Sequence, residues 1–211
     1  HMPDKAGLAA FERTTSSDQQ YDHLRSGLAD VAVTAMDNVF AWNRWDPDLD
    51  FRVIAQVEQT TELVLVARKG IESIEELRNR RLLVDAPGNG FVVALRALLA
   101  AAGLFGTDYR LISAGGVTER LDALLAGKGD ATLLGPPFDT KALQQGCRNL
   151  GRINEVWPAF PGQGLVVSRR CLADVGPKLH AWLSHITLAR RWAKACAQEA
   201  ALLLEQAGVP V

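Results

Sequence analysis

Five short loops in this chain collect the residues best equipped for chemistry. Thr15, Ser16 and Ser17 close the first apolar segment, and Thr34, Asp37 and Asn38 follow "DVAVTA". Pro87, Gly88, Asn89, Gly90 and Phe91 follow "LLVDA"; Gly115, Gly116 and Thr118 follow "LISA"; Pro136, Pro137 and Phe138 follow "TLLG". The set is rich in hydroxyls, amides and free backbone N–H groups. Such groups hold a small ligand without covalent chemistry. A helix that starts in such a loop presents unpaired N–H donors and a positive dipole end, which suits an anion or a carbonyl. Each anionic contact contributes about 0.3–1 kcal/mol when exposed. No Arg or Lys falls in these loops, which disfavours a strongly charged dianion.

Each position also has a purely structural reading. Gly88 to Gly90 make a tight turn, Ser16, Ser17 and Asp37 suit helix N-caps, and Phe91 and Phe138 suit a core. Asp30 and Asp130 follow glycines at strand starts, where turn stabilisation is the ordinary role. Trp42, Trp45 and Trp157 fit packing better than ligand platforms. What favours a binding role is their common location at strand ends.

Catalytic patterns are missing from the sequence. It contains no G-x-S-x-G elbow, no H-E-x-x-H and no phosphate-binding G-x-x-x-x-G-K-[ST], and "GNGFVV" supplies two of the three dinucleotide glycines. His23, His180 and His185 fall on predicted helices. Cys147, Cys171 and Cys196 have no metal spacing and no C-x-x-C arrangement. The reading is therefore a non-enzyme, with no catalytic residue, no metal and no cofactor. Should it be an enzyme, Asp37, His23 or a cysteine would have to act.

The elements that must carry these loops follow from periodicity. "LRSGLADVAVTAMDN" (24–38) and "LLAGKGDATLLGPPF" (124–138) share one grammar: helix end, glycine, Asp three residues later, apolar strand, turn. Gly27 and Asp30 match Gly127 and Asp130 at an offset of about a hundred positions. The repeat predicts two lobes of similar build. A short strand is expected in "AGLAAFERTTSS", then a helix capped by Asp18 and stopped by Gly27 in the left-handed conformation. Ser73 with Glu76 reads as a capping box. "FVVALRALLAAAG" reads as a buried helix, "VTERLDALLAG" as an amphipathic one, and residues 176–208 as a helical tail. Strand–helix alternation with short connections predicts parallel sheets. Extended segments near 58–66 and 160–167 predict a hinge of two strands. Residues 3–66 with 165–211 would form the first lobe and 67–164 the second. Ligands of open α/β sheets sit beyond the carboxyl ends of the strands.

With 48% hydrophobic and 22% charged residues among 211, the composition is that of a globular protein with a substantial core. A net charge of −1 gives no footprint for nucleic acid. The longest apolar runs are too short to span a bilayer. The opening His1-Met2 has the look of a cloning remnant.

"SSDQQYDHLRSGLADVAVTAMDNV", "IESIEELRNRRLLVDAPGNGFVVALRALLAAAGL", "RLDALLAGKGDATLLGPPF" and "ALQQGCRNLG" resemble the ABC-transporter substrate-binding proteins of the nitrate/sulfonate/thiamine-precursor type. The resemblance runs from about Thr14 to the end. It implies the α/β, two-lobed periplasmic-binding-protein (type II) fold with a hinge of two crossover segments. It further implies capture of a small polar, anionic or aromatic ligand in the interlobe cleft, for delivery to an ABC permease. Carried over by position, the family's contacts correspond to Ser16, Ser17, Thr34, Asp37, Asn38, Asn89, Gly90, Phe91, Pro136 and Phe138. Thr60, Thr61 and Glu62 would lie at the hinge and floor, with Thr118 and Gln163 as weaker candidates. The family normally has a further strand and helix before "AAFERTTSS". Their absence would leave a gap in the first sheet, and a homodimer is expected if a partner chain fills it. The location is periplasmic or membrane-tethered if a signal peptide was removed, and otherwise cytoplasmic. The alternatives are an enzyme on the same scaffold, of the biosynthetic, lyase or desulfurising type, and a ligand-sensing effector domain.

Overall fold

The computed structural model describes residues 11–207. The chain divides into two compact units, one of residues 14–170 and one of 1–13 with 171–211. The larger unit holds two sheets.

In the first sheet, β1 (Val31–Ala35) and β2 (Phe51–Gln56) flank β8 (Gln163–Ser168), both antiparallel to it. The helices α1 (Ser17–Ser26) and α2 (Asn38–Trp45) pack on it. Tyr21, Leu24, Trp42, Phe51 and Val166 make its core, with the Trp42 and Phe51 rings 5.6 Å apart. Burial of each such side chain stabilises the fold by about 1.5–3 kcal/mol.

The second sheet has the order β5 (Arg110–Ser113), β4 (Arg81–Val84), β6 (Ala131–Leu134), β3 (Val64–Ala67), β7 (Arg148–Arg152). Its central strand β6 and the inner strand β3 are buried at every position. Leu65, Ala67, Ala131 and Leu133 point into one core layer, while Val64, Val66 and Leu134 point into the other, as the two-residue period of a strand requires. Helix α3 (Gly90–Ala101) closes the first layer with Leu95, Leu98 and Leu99; α4 (Val117–Leu125) and α5 (Phe138–Gln144) close the second. The short helix α6 (Ile153–Val156) ends the unit's second half, Ile153 lying in the first layer.

The repeat read from the sequence is structural. Helices α1 and α4, strands β1 and β6, and helices α2 and α5 recur in the same order, and Gly27 (φ 77°) and Gly127 (φ 70°) both take the left-handed turn. Asp130 is held in place: its buried carboxylate accepts from Arg68 Nε at 2.8 Å and from the Arg81 amide at 2.9 Å, tying β6 to its neighbours. Asp30 is exposed. The chain crosses between sheets twice, from β2 to β3 and from β7 to β8. The two crossings touch through the antiparallel Thr60–Pro161 bridge, and Thr60 Oγ1 donates to the Phe160 carbonyl at 2.6 Å.

Several expectations need correction. Among the described residues only β4–β5 and β4–β6 are parallel; the first sheet is antiparallel throughout, because β8 enters it from the far end of the chain. Ser16, not Asp18, caps α1, its hydroxyl accepting from the Gln19 amide. Glu75–Leu77 form a 3-10 turn with no side-chain cap at Ile74, and Glu76 accepts from the Glu72 amide instead of pairing with Ser73. In the opening strand expectation, residues 11–14 take no regular structure and 6–10 lie outside the described residues. The C-terminal helix α7 (Arg169–Ala195) starts seven residues early and runs through Pro177. It passes into the smaller unit, which also contains α8 (Ala197–Gln206).

Candidate functional site

The two sheets meet at the tips of the loops singled out above. After β4, Asp85 reaches the start of α1: its carboxylate accepts from the Ser17 amide at 3.1 Å. Asn89 Nδ2 donates to the same carboxylate at 3.0 Å and to Ser17 Oγ at 3.4 Å. Asn89 Oδ1 accepts from the Phe91 amide at 2.6 Å and so caps α3. Beside this knot the Gly116 amide, at the start of α4, donates to the Thr15 carbonyl at 2.6 Å. Three elements of the second sheet's layer therefore converge on the start of α1.

Asp37 comes from the other loop of the first sheet. A Cβ at residue 90 would collide with its carboxylate, so only glycine permits this approach. Both Asp37 oxygens are shielded from solvent and accept no hydrogen bond. Burial raises its pKa above the usual carboxylate range. The nearby amides of Asp37 itself and Gly90 offset this in part, without reaching hydrogen-bond geometry. The rim carries Trp45, whose Cζ2 lies 3.7 Å from where a Cβ at Gly88 would stand and whose ring meets Tyr21 edge-on.

Arg120 lies behind the knot at 4% exposure, donating to the Gly115 carbonyl at 3.0 Å and the Leu133 carbonyl at 3.4 Å. Burial lowers its pKa, and the charges of Asp85 and Glu119 act against that. Asp18 is raised by burial, then by Asp85 and Asp22. A void of about 10 Å³ separates Arg120 from Asp85, Asn89 and Phe91.

The residues anticipated from sequence thus fall into five groups. Ser16, Ser17, Asp37, Asn89 and Gly90 come together at the junction. Thr34 and Asn38 satisfy each other, Asn38 Nδ2 donating to Thr34 Oγ1 at 2.9 Å in the first core. Phe91 packs on the first layer of the second sheet and 5.8 Å from Phe160, and Phe138 packs on the other layer. Thr60 and Thr61 are engaged at the crossover, Thr61 Oγ1 donating to Glu58 at 2.8 Å, while Glu62 is exposed. Pro136 stands next to Gly135, which abuts the Glu62 carbonyl. The expectation of free donors at the starts of α3 and α4 is corrected in part: the Phe91 and Gly116 amides are occupied by the protein's own oxygens. Arg120 lies outside the strand-end loops, on α4, and the fold turns it inward behind the junction. Asp85 and Arg120 were missed. Asp85 ends its strand and was within reach of the strand-end rule; Arg120 looked like the polar face of an amphipathic helix.

Other chemistry-bearing groups lie apart. Cys147 sits in the second layer's core, where burial pushes its thiol up. Among the described residues no group of three or more His, Cys, Asp and Glu could hold a metal ion, and no helix is long and apolar enough to cross a membrane. A groove of about 480 Å³ lies on the C-terminal helices, lined by Leu188, Trp192, Leu203 and Leu204 among others. It lacks the convergent polar groups of a small-ligand site.

Two βα lobes joined by paired crossovers, with loop tips meeting at one junction, define the architecture of type II periplasmic binding proteins. The chain belongs to the NMT1-like family, whose model matches residues 4–145. Among solved structures it is similar to the alkanesulfonate-binding protein SsuA from Xanthomonas axonopodis pv. citri bound to MOPS (TM-score 0.79, 18% identity, covering 99% of this chain and 73% of that one). It is similar to the periplasmic aliphatic sulphonate-binding protein SsuA from Escherichia coli (0.70, 18%, 99% and 72%). It is also similar to the periplasmic nitrate-binding protein NrtA from Synechocystis PCC 6803 (0.80, 15%, 99% and 62%), so the chain spans less than two thirds of that protein. No curated protein matches the sequence.

Proposed function

We propose that this protein is a solute receptor that captures a small molecule between its two lobes for an ABC importer. The observation that carries the reading is the junction itself. Ser16, Ser17 and Asp37 from one lobe face Asp85, Asn89 and Gly90 from the other, so a ligand placed there would contact both. A ligand that contacts both lobes favours the closed arrangement by its differential affinity, and the paired crossovers supply the hinge. Names of similar proteins support transport: two bind sulfonates and one nitrate. In this reading the lobes are residues 3–66 with 165–211 and residues 67–164, β3 lending its strand to the second sheet. The receptor works outside the cytoplasmic membrane with a permease as partner, and a homodimer forms if a second copy supplies a strand to the open edge of β1.

Thermal-shift titration with sulfonates, carboxylates, amines, pyrimidines and aromatic acids tests this. A true ligand at 100-fold its dissociation constant stabilises the protein by about 2.7 kcal/mol. Absence of any shift across the panel would refute the receptor reading.

A further inference from the structure

Resting on the receptor reading, we propose that the ligand is a small cationic hydrogen-bond donor, a protonated amine or amidinium, anchored on the Asp37 carboxylate. At each helix start that would welcome an anion, at least one donor is already engaged. Asp85 takes the Ser17 amide, Ser16 Oγ the Gln19 amide, Asn89 Oδ1 the Phe91 amide, and the Thr15 carbonyl the Gly116 amide. The guanidinium behind the junction, Arg120, is buried and turned onto two carbonyls. Beside them the junction gathers acceptors. Asp85 stands at its centre, and Asp18 is close enough to feel that charge. Glu119 stands beside it: a Cβ on Gly116 would lie 2.9 Å from Glu119 Oε2.

Asp37 is the separate observation that points to a ligand. Its two oxygens are shielded from water and accept no hydrogen bond, the Asp37 and Gly90 amides lying near without bonding geometry, and they press against the one residue, Gly90, that leaves them room. A buried carboxylate without partners is costly, and a charged N–H donor is the group that offsets the cost best. A sulfonate or nitrate in the same place would face Asp37 and Asp85 with like charge.

The test is calorimetric titration and thermal shift at fixed ionic strength with a charge-matched panel: ethylammonium, acetamidinium and benzamidinium against nitrate, ethanesulfonate and benzoate. Wild-type protein should bind the cationic members and not the anions. Asp37→Asn should lose about tenfold or more in affinity for the cations, the scale expected when one partner of a buried charge pair is removed. The wild-type preference is read without any variant, so a folding defect in Asp37→Asn leaves the test intact. Binding of the anions alone would overturn the charge assignment and keep the receptor. Equal cation affinity in a folded Asp37→Asn would overturn Asp37 as anchor. No binding by any member would overturn the assignment together with the receptor reading.

Discussion

Replacing Gly90 by Ala probes the junction most sharply. Gly90 begins α3 with ordinary backbone angles, so alanine meets no conformational obstacle and gains up to about 0.5–1 kcal/mol of helix preference. Against this, the new methyl group would overlap Asp37 Oδ2 and Cγ and lie 2.9 Å from Asp37 Cβ. Forcing a methyl group into a filled site costs about 1–3 kcal/mol. The net expectation is a loss of about 1–2 kcal/mol, or roughly 2–8 °C in melting temperature for a unit of this size. Calorimetric unfolding of Gly90→Ala, Asp37→Ala and the double variant completes the assay. Because the collision is with atoms that Asp37→Ala removes, the two changes should couple by about 1 kcal/mol or more, the double variant being more stable than the sum predicts. A Gly90→Ala protein as stable as wild type, or strict additivity, would mean that the lobes do not meet as described.

Other consequences are more direct. The Asp37 carboxyl has a raised pKa in the folded state, so the native protein binds more protons than the unfolded chain in that window, and stability falls as pH rises through it. Asp37→Asn should therefore gain on the order of 1 kcal/mol at pH 7 and nothing below about pH 4, as denaturant titrations at both values would show. Asp130 behaves oppositely. Burial pushes its pKa up, but the Arg81 amide and the Arg68 side chain outweigh that and lower it, so its contribution is present above the ordinary aspartate value and disappears as pH falls through the folded one. Asp130→Asn should cost about 1–3 kcal/mol at pH 7 and little in strong acid, by the same titrations. Asn89→Ala removes the α3 cap, the tie to Asp85 and the tie to Ser17 across the junction, and should cost about 1–2 kcal/mol, measured by thermal unfolding.

The fold was legible where local rules decide. The repeated Gly27–Asp30 and Gly127–Asp130 grammar foretold paired helix–strand–helix units, because a left-handed glycine and an apolar run are encoded within ten residues. Strand direction was not legible: β8 joins β1 and β2 from more than a hundred residues away, and nothing local records that. The candidate site was legible as a set of strand ends, which brought Ser17, Asp37, Asn89 and Gly90 together. The hydrogen-bond partners within it were hidden. Whether the Ser17 amide faces a ligand or Asp85, and whether Arg120 points to water or inward, depends on tertiary packing that no spacing reveals. Thr34 and Asn38 show the converse, two strand-end polar residues that satisfy each other across one turn.

Amide hydrogen exchange, with and without a saturating amount of the first compound that raises the melting temperature, tests the two-lobed capture most directly. Slower exchange is expected at Ser17, at Asn89 to Phe91 and at Gly116, from both lobes at once, with changes near Thr60 and Pro161 at the crossings. Protection confined to one lobe, or to the C-terminal helices around Trp192, would contradict it.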